Sequence, residues 1–137
     1  MQMEIRKLVK DRANHICEYC LALSQYAFHP FCVDHIIPIS KQGSHLPDNL
    51  AFACQHCNNC KYNKYEHPDP LTGKIIPLYN PRKSKWSDHF VWDEDDSVIV
   101  GITSIGRATV SCLKMNREEA VNLRAALKQY GVHPPKL

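Results

Sequence analysis

No run of apolar residues in this 137-residue sequence approaches the roughly 20 that cross a bilayer, which excludes a membrane-spanning helix. The first ten residues, Met-Gln-Met-Glu-Ile-Arg-Lys-Leu-Val-Lys, lack the apolar core and small-residue cleavage site of a secretory signal, so an intracellular, cytoplasmic protein is expected. Internal repeats and low-complexity tracts are missing too, and the length suits one domain or a small domain with a terminal extension. An excess of one charge is also lacking, since 17 Lys and Arg face 14 Asp and Glu for a net charge of +3. The distribution is less even. Residues 74–86 hold Lys74, Arg82, Lys83 and Lys85 without an acid, whereas Asp93-Glu94-Asp95-Asp96 is an acidic run. The basic stretch suits a polyanion and equally reads as a solvated loop.

Cysteine, by contrast, is plentiful at seven residues. In a reducing compartment these argue for metal ligation rather than disulfides, and the odd number fits four ligands plus three free thiols. Cys17-Glu-Tyr-Cys20 and Cys54-Gln-His-Cys57 are two knuckles of equal spacing, each able to present two sulfurs to one structural zinc ion. Cys57 with Cys60 is a second register, and His56 a substitute ligand. The pair Cys54 and Cys57 is preferred because Cys60 falls one turn into the following helix. Cys32 and Cys112 lie in strand-like runs, where a small buried apolar residue is the default reading.

Ile5, Leu8, Val9 and Arg12 recur at helical spacing, predicting a packing helix over Glu4 to Asn14. Phe31 to Ile37 is rich in β-formers and stops at Pro38, which predicts a strand; Pro38 to Asp48 reads as a loop. A second strand is expected over Asn49 to Ala53, and a short helix over Asn58 to Tyr65. From His67 to Lys85, four prolines and Gly73 predict an irregular arm. Ser97 to Thr103 and Arg107 to Lys114, separated by Ser104-Ile-Gly106, read as a β-hairpin. Asn116-Arg-Glu-Glu119 reads as a capping box that opens a helix ending at Gly131. The expected organisation is a core over residues 1–66 and a proline-rich basic arm with an α+β extension over 67–137.

Within the first region, Val33-Asp34-His35-Ile36-Ile37-Pro38 is followed by Asn49-Leu50 fourteen residues after His35, Cys57-Asn58 twenty-three after it, and then Lys61. Together with the two knuckles, this pattern resembles the zinc-stabilised HNH endonucleases, tightly over about residues 12 to 64. Asn80-Pro81-Arg82, the stretch from Trp86 through His89 to Trp92, and Gly106 to Val110 resemble the C-terminal extension of small prokaryotic members. The resemblance implies a treble-clef, ββα-metal core of the α+β class that hydrolyses DNA, with RNA left open as a substrate. By the same resemblance His35 is the general base, Asp34 and Asn58 hold one Mg²⁺ or Mn²⁺ ion, and Asn49 secures the loop that carries the histidine. Hard oxygen donors suit such an ion, which keeps several waters and is completed by substrate phosphate. The usual third letter of the family name, His, is here Asn58, whose amide oxygen is also a hard donor. Neighbours in a regular strand face opposite ways, so Asp34 and His35 share a site only if the strand ends or kinks there. Lys61, Arg82, Lys83 and Lys85 are candidate phosphate contacts. Trp86, His89 and Trp92 are read as packing residues, and His15, His29, His45, His67 and His133 receive no role.

Overall fold

Two Cys-x-x-Cys turns far apart in sequence meet only if the chain between them doubles back, and a short hairpin does this. Strand β1 (Cys32–His35) pairs antiparallel with β2 (Leu50–Ala53), setting Val33 opposite Phe52, Asp34 opposite Ala51 and His35 opposite Leu50. The computed structural model describes residues 2–137 and divides the chain into two compact units, 2–65 with 80–86, and 66–79 with 87–137. Among the described residues the elements are mixed α and β, with three separate two-stranded sheets. None of the helices among the described residues is long and apolar enough to cross a membrane.

In the first unit, helix α1 (Met3–Arg12) fully buries only Val9. Its last residue fastens it: the Arg12 guanidinium donates to the carbonyls of Pro47 at 3.0 Å and Leu50 at 2.7 Å, the entry to β2. Helix α2 (Gln55–Lys61) begins three residues before the expected Asn58, because Cys54 caps it by accepting the Cys57 amide on its sulfur at 3.4 Å. It ends four residues before Tyr65, where Tyr62 turns to φ 49°. Residues 80–86 return to this unit. Arg82 pairs with Glu18, and the Trp86 indole donates to the Tyr19 carbonyl at 2.8 Å.

The second unit departs furthest from expectation. The arm over His67 to Lys85 is not irregular throughout, since β3 (Glu66–Pro68) and β4 (Ile75–Pro77) pair antiparallel. Asp69 closes the turn between them: its carboxylate accepts the Leu71 amide and the Thr72 hydroxyl, and Gly73 adopts φ 77°. The expected hairpin of Ser97–Thr103 with Arg107–Lys114 is absent. Instead β5 (Phe90–Trp92) pairs with β6 (Ile99–Gly101), and Ser104–Leu113 forms helix α3. The triplet Ser104-Ile-Gly106 resembles a turn, yet the Thr103 hydroxyl accepts the Gly106 amide at 3.0 Å and caps a helix. Gly106 serves close packing there, for a Cβ would stand 2.1 Å from the His89 carbonyl oxygen. Ile105, Ala108, Thr109, Cys112 and Leu113 then recur at helical spacing, the last four of them buried.

Helix α4 (Glu118–Gln129) forms, but not through the expected capping box. The Asn116 side chain binds the backbone of Ile99 through both its oxygen and its nitrogen, each at 2.8 Å, and so cannot cap. The fully placed residue of α4 is Arg124, whose guanidinium donates to the carbonyls of Ser97 at 2.9 Å and Met115 at 2.6 Å and lies over the Trp92 ring. Phe90, Ile99, Leu113 and Met115 form the centre of this unit.

Candidate nuclease site and metal centre

The two knuckles converge. Cys17, Cys20, Cys54 and Cys57 are all buried, and their sulfurs lie within 4.8 Å of one another. Cys20 Sγ and Cys54 Sγ are 3.7 Å apart. Two sulfurs of a tetrahedron with bonds of about 2.3 Å to zinc would be roughly 3.8 Å apart, so the cluster has the dimensions of a four-thiolate site. Backbone amides of Cys20 and Cys57 donate to the sulfurs of Cys17 and Cys54 at 3.5 and 3.4 Å, as knuckle geometry requires. Burial pushes the Cys17 thiol well above its ordinary value, while hydrogen bonds from the other sulfurs, Cys17 first, pull Cys20 well below. A cation at the centre of the cluster would let all four ionise together. Cys60 stands outside it, with Sγ 3.5 Å from His56 Nε2. Cys112 is buried, and Cys32 donates to Gln55 Oε1 at 2.9 Å.

On the same unit an open cleft of about 350 Å³ is bordered by Asp34, His35, Pro38, Ser40, Asn58 and Tyr62. The strand alternation turns the two neighbours apart. Asp34 faces inward, only 4% exposed, and accepts from the Tyr19 hydroxyl at 2.7 Å and from Lys61 Nζ at 3.1 Å. His35, at the last position of β1, is less buried and reaches the His45 ring instead, Nε2 to Nδ1 at 3.1 Å. Asn58, on α2, borders the cleft half-buried.

The loop between the strands is held by Asn49. Its oxygen accepts the Ile37 amide at 2.9 Å, and its nitrogen donates to the carbonyls of Ile37 at 3.0 Å and Ser44 at 2.8 Å. Both ends of the His35–His45 pair are thereby anchored, since Ile37 follows one histidine and Ser44 precedes the other. Gly43 makes this possible, because a Cβ there would lie 1.8 Å from the Ile37 carbonyl oxygen and 2.9 Å from Asn49 Nδ2. Burial first, then the neighbouring His45 ring, lowers the pKa of His35, with Asp34 opposing. Burial raises that of Asp34 against the pull of Lys61 and Tyr19.

Two of the expected phosphate contacts are internal. Lys61 is 1% exposed and bonded to Asp34 and the His35 carbonyl, so it is a counter-ion of the site rather than a surface cation. Arg82 is committed to Glu18, which in turn accepts the Phe52 amide and ties β2 to the first knuckle. Lys83 and Lys85 are exposed. Tyr19 and His45 are the partners of Asp34 and His35 that sequence reading passed over. Nothing in the spacing marks His45, and Tyr19 is visible only as the residue between the two ligands of the first knuckle.

Residues 17–64 match the family model described as HNH endonuclease. That stretch holds both knuckles, the hairpin and α2, so the similarity to HNH endonucleases covers the cysteine cluster and the residues bordering the cleft. No curated protein and no solved structure matches the chain.

Proposed function

We propose that this protein is a metal-dependent HNH endonuclease that hydrolyses phosphodiester bonds in DNA, on a zinc-stabilised treble-clef, ββα-metal core. One observation carries the reading: an accessible histidine of lowered pKa borders a cleft with Asp34 and Asn58, and its second ring nitrogen is engaged by His45. A general base must be neutral at working pH and held in position; the lowered pKa of His35 supports the first and its contact with His45 the second. With its proton on Nε2, donated to His45, His35 keeps the Nδ1 lone pair to take a proton from the attacking water. His45 is thus a positioning residue, and Asn49 fixes the loop from which it reaches. Asp34 and Asn58 would hold Mg²⁺ or Mn²⁺, a fit of hard oxygen donors that leaves most of the coordination shell to water and phosphate. When bound, the ion supplies positive charge at the scissile phosphate and the leaving 3′ oxygen. Lys61 keeps Asp34 ionised and in place between the hairpin and α2. Zinc at the four cysteines holds these elements in register.

A specific feature favours a second reading, a nucleic-acid-binding module without turnover: the Asp34 carboxylate is already engaged inward by Tyr19 and Lys61. Nicking of supercoiled plasmid in Mg²⁺ separates the two. His35→Ala is expected to keep zinc and DNA affinity and to cut about 10²- to 10⁴-fold more slowly, the usual worth of a positioned base. His45→Ala is expected to lower kcat by a smaller factor with KM unchanged, and His45→Gln to recover part of it. Equal rates for wild type and His35→Ala, purified side by side, would refute the catalytic reading; binding without cutting by both would favour the module.

A further inference from the structure

The strand that presents His35 continues away from the cleft into a second groove. On β1 the alternation of side chains puts Val33 on the same face as His35 and opposite Asp34. Val33 borders both hollows, the cleft described above and a groove of about 390 Å³ between α1 and the hairpin. The floor of that groove is Phe31, Val33 and Phe52, with the two phenylalanine rings 5.2 Å apart.

Its rim is basic. Arg6, Lys7, Lys10 and His15 stand along it, against the single acid Asp11. Asp11 is taken up by its own helix, pairing with Lys7 at 2.6 Å and with His15 at 3.2 Å. Arg6 and Lys10 are exposed and have no ion-pair partner among the described residues. Four residues apart on α1, they share one face about 6 Å from each other along the axis. Val33 and His35 are separated by about 7 Å of strand.

We propose that this α1 groove receives the nucleic-acid strand next to the scissile phosphate, with Arg6 and Lys10 on its phosphates and the apolar floor against sugar and base edges. The proposal rests on the nuclease reading for its account of the cleft, and on charge complementarity and the shared Val33 for its occupant. It changes the role of α1, expected from sequence to be a packing helix: the face that carries Arg6 and Lys10 is a guide rail. It also shifts the phosphate contacts from residues 82–85 to residues 6–10, since Arg82 is tied to Glu18.

The test measures binding of a labelled DNA duplex across a salt series, alongside plasmid nicking, with full-length wild type, Arg6→Gln/Lys10→Gln and Lys83→Gln/Lys85→Gln, all checked for zinc content. Loss of two phosphate contacts is expected to reduce the slope of log affinity on log salt by about 1.8 in the α1 variant. The Lys83/Lys85 variant is expected to keep the wild-type slope. An α1 variant that cuts and binds as wild type does would overturn the groove while leaving the nuclease standing. A wild type that binds with an α1-dependent slope yet cuts nothing would overturn the nuclease and leave the groove. If wild type binds no nucleic acid, or the α1 variant loses affinity for polyglutamate but not for DNA, the proposal is wrong, and in the second case an acidic protein segment is the occupant.

Discussion

The two units of this chain solve the same problem, holding short elements together, with different chemistry. In residues 2–65 and 80–86, four cysteines from two distant turns meet at one point, and a buried Asp34–Lys61 pair joins β1 to α2. In residues 66–79 and 87–137, arginines do the joining. Arg107 grips Asp69 with two hydrogen bonds, at 3.0 and 2.8 Å, and Arg124 reaches the carbonyls of Ser97 and Met115 across an apolar centre. An ion at the four sulfurs would therefore order the unit with the cleft, whereas the other is held by side chains it always possesses. A site built on strands of four residues needs such a staple, because so short a hairpin buries too little to stand alone.

The contrast breaks most completely on removal of the metal. A strong chelator, or Cys54→Ser, is expected to abolish amide-exchange protection in residues 17–64 and leave it in α3. Structural zinc contributes about 10–16 kcal/mol in small finger peptides, comparable to the entire stability of a typical domain. Equal loss in both units would show that the staple serves the whole chain.

Removing one side of the buried pair comes next. Lys61→Met leaves Asp34 facing inward without its cation, and is expected to cost about 3–5 kcal/mol in denaturant unfolding of the first unit. Asp34→Asn added to it should recover much of the loss. If Lys61→Met is as stable as wild type and only weakens DNA binding, Lys61 is a surface contact after all.

The smallest expected effect sharpens the second unit. Hydrogen bonds from Arg107 first, then from Leu71 and Thr72, hold the Asp69 carboxyl far below its ordinary value. A depressed folded-state pKa gives stability that is present above the unfolded value of about 3.9 and is lost as pH falls through the folded one. Asp69→Asn is thus expected to lower the melting temperature of this unit at neutral pH, and the gap from wild type to shrink steadily in acid below about pH 4. A gap that stays constant with pH would assign the loss to the turn rather than to the charge.

Legibility followed the same divide. The β1 and β2 strands could be read because a β-rich run ends at Pro38 and because Leu50 to Ala53 is uniformly apolar, a pattern fixed by local chemistry. The cysteine pairs were legible for the same reason, as knuckle spacing is a local demand. What escaped was decided by tertiary contact. Ser104-Ile-Gly106 is a turn by composition, and becomes a helix start only because the Thr103 hydroxyl caps it and Gly106 fits beneath the His89 carbonyl. Lys61 and Arg82 looked like surface cations, since charge in a sequence does not say which way it points. His45 was silent because its meaning comes from Asn49, four residues on, gripping the carbonyl of the residue before it.

The return of residues 80–86 also has a consequence in time. All four cysteines and His35 have been synthesised by residue 57, so metal can be captured while the rest of the chain is still being made. The carbonyl of Tyr19 waits for the indole of Trp86, 67 residues later, and Glu18 waits for Arg82 across 64. At about 5–20 residues per second that delay is roughly 3–13 s. During it the nascent first unit is stapled but unlatched, with the first knuckle still missing two of its neighbours. A fragment ended at Tyr65 would stay in that state permanently: it would carry every chemical group of the site and lack the clasp from downstream that covers the knuckle.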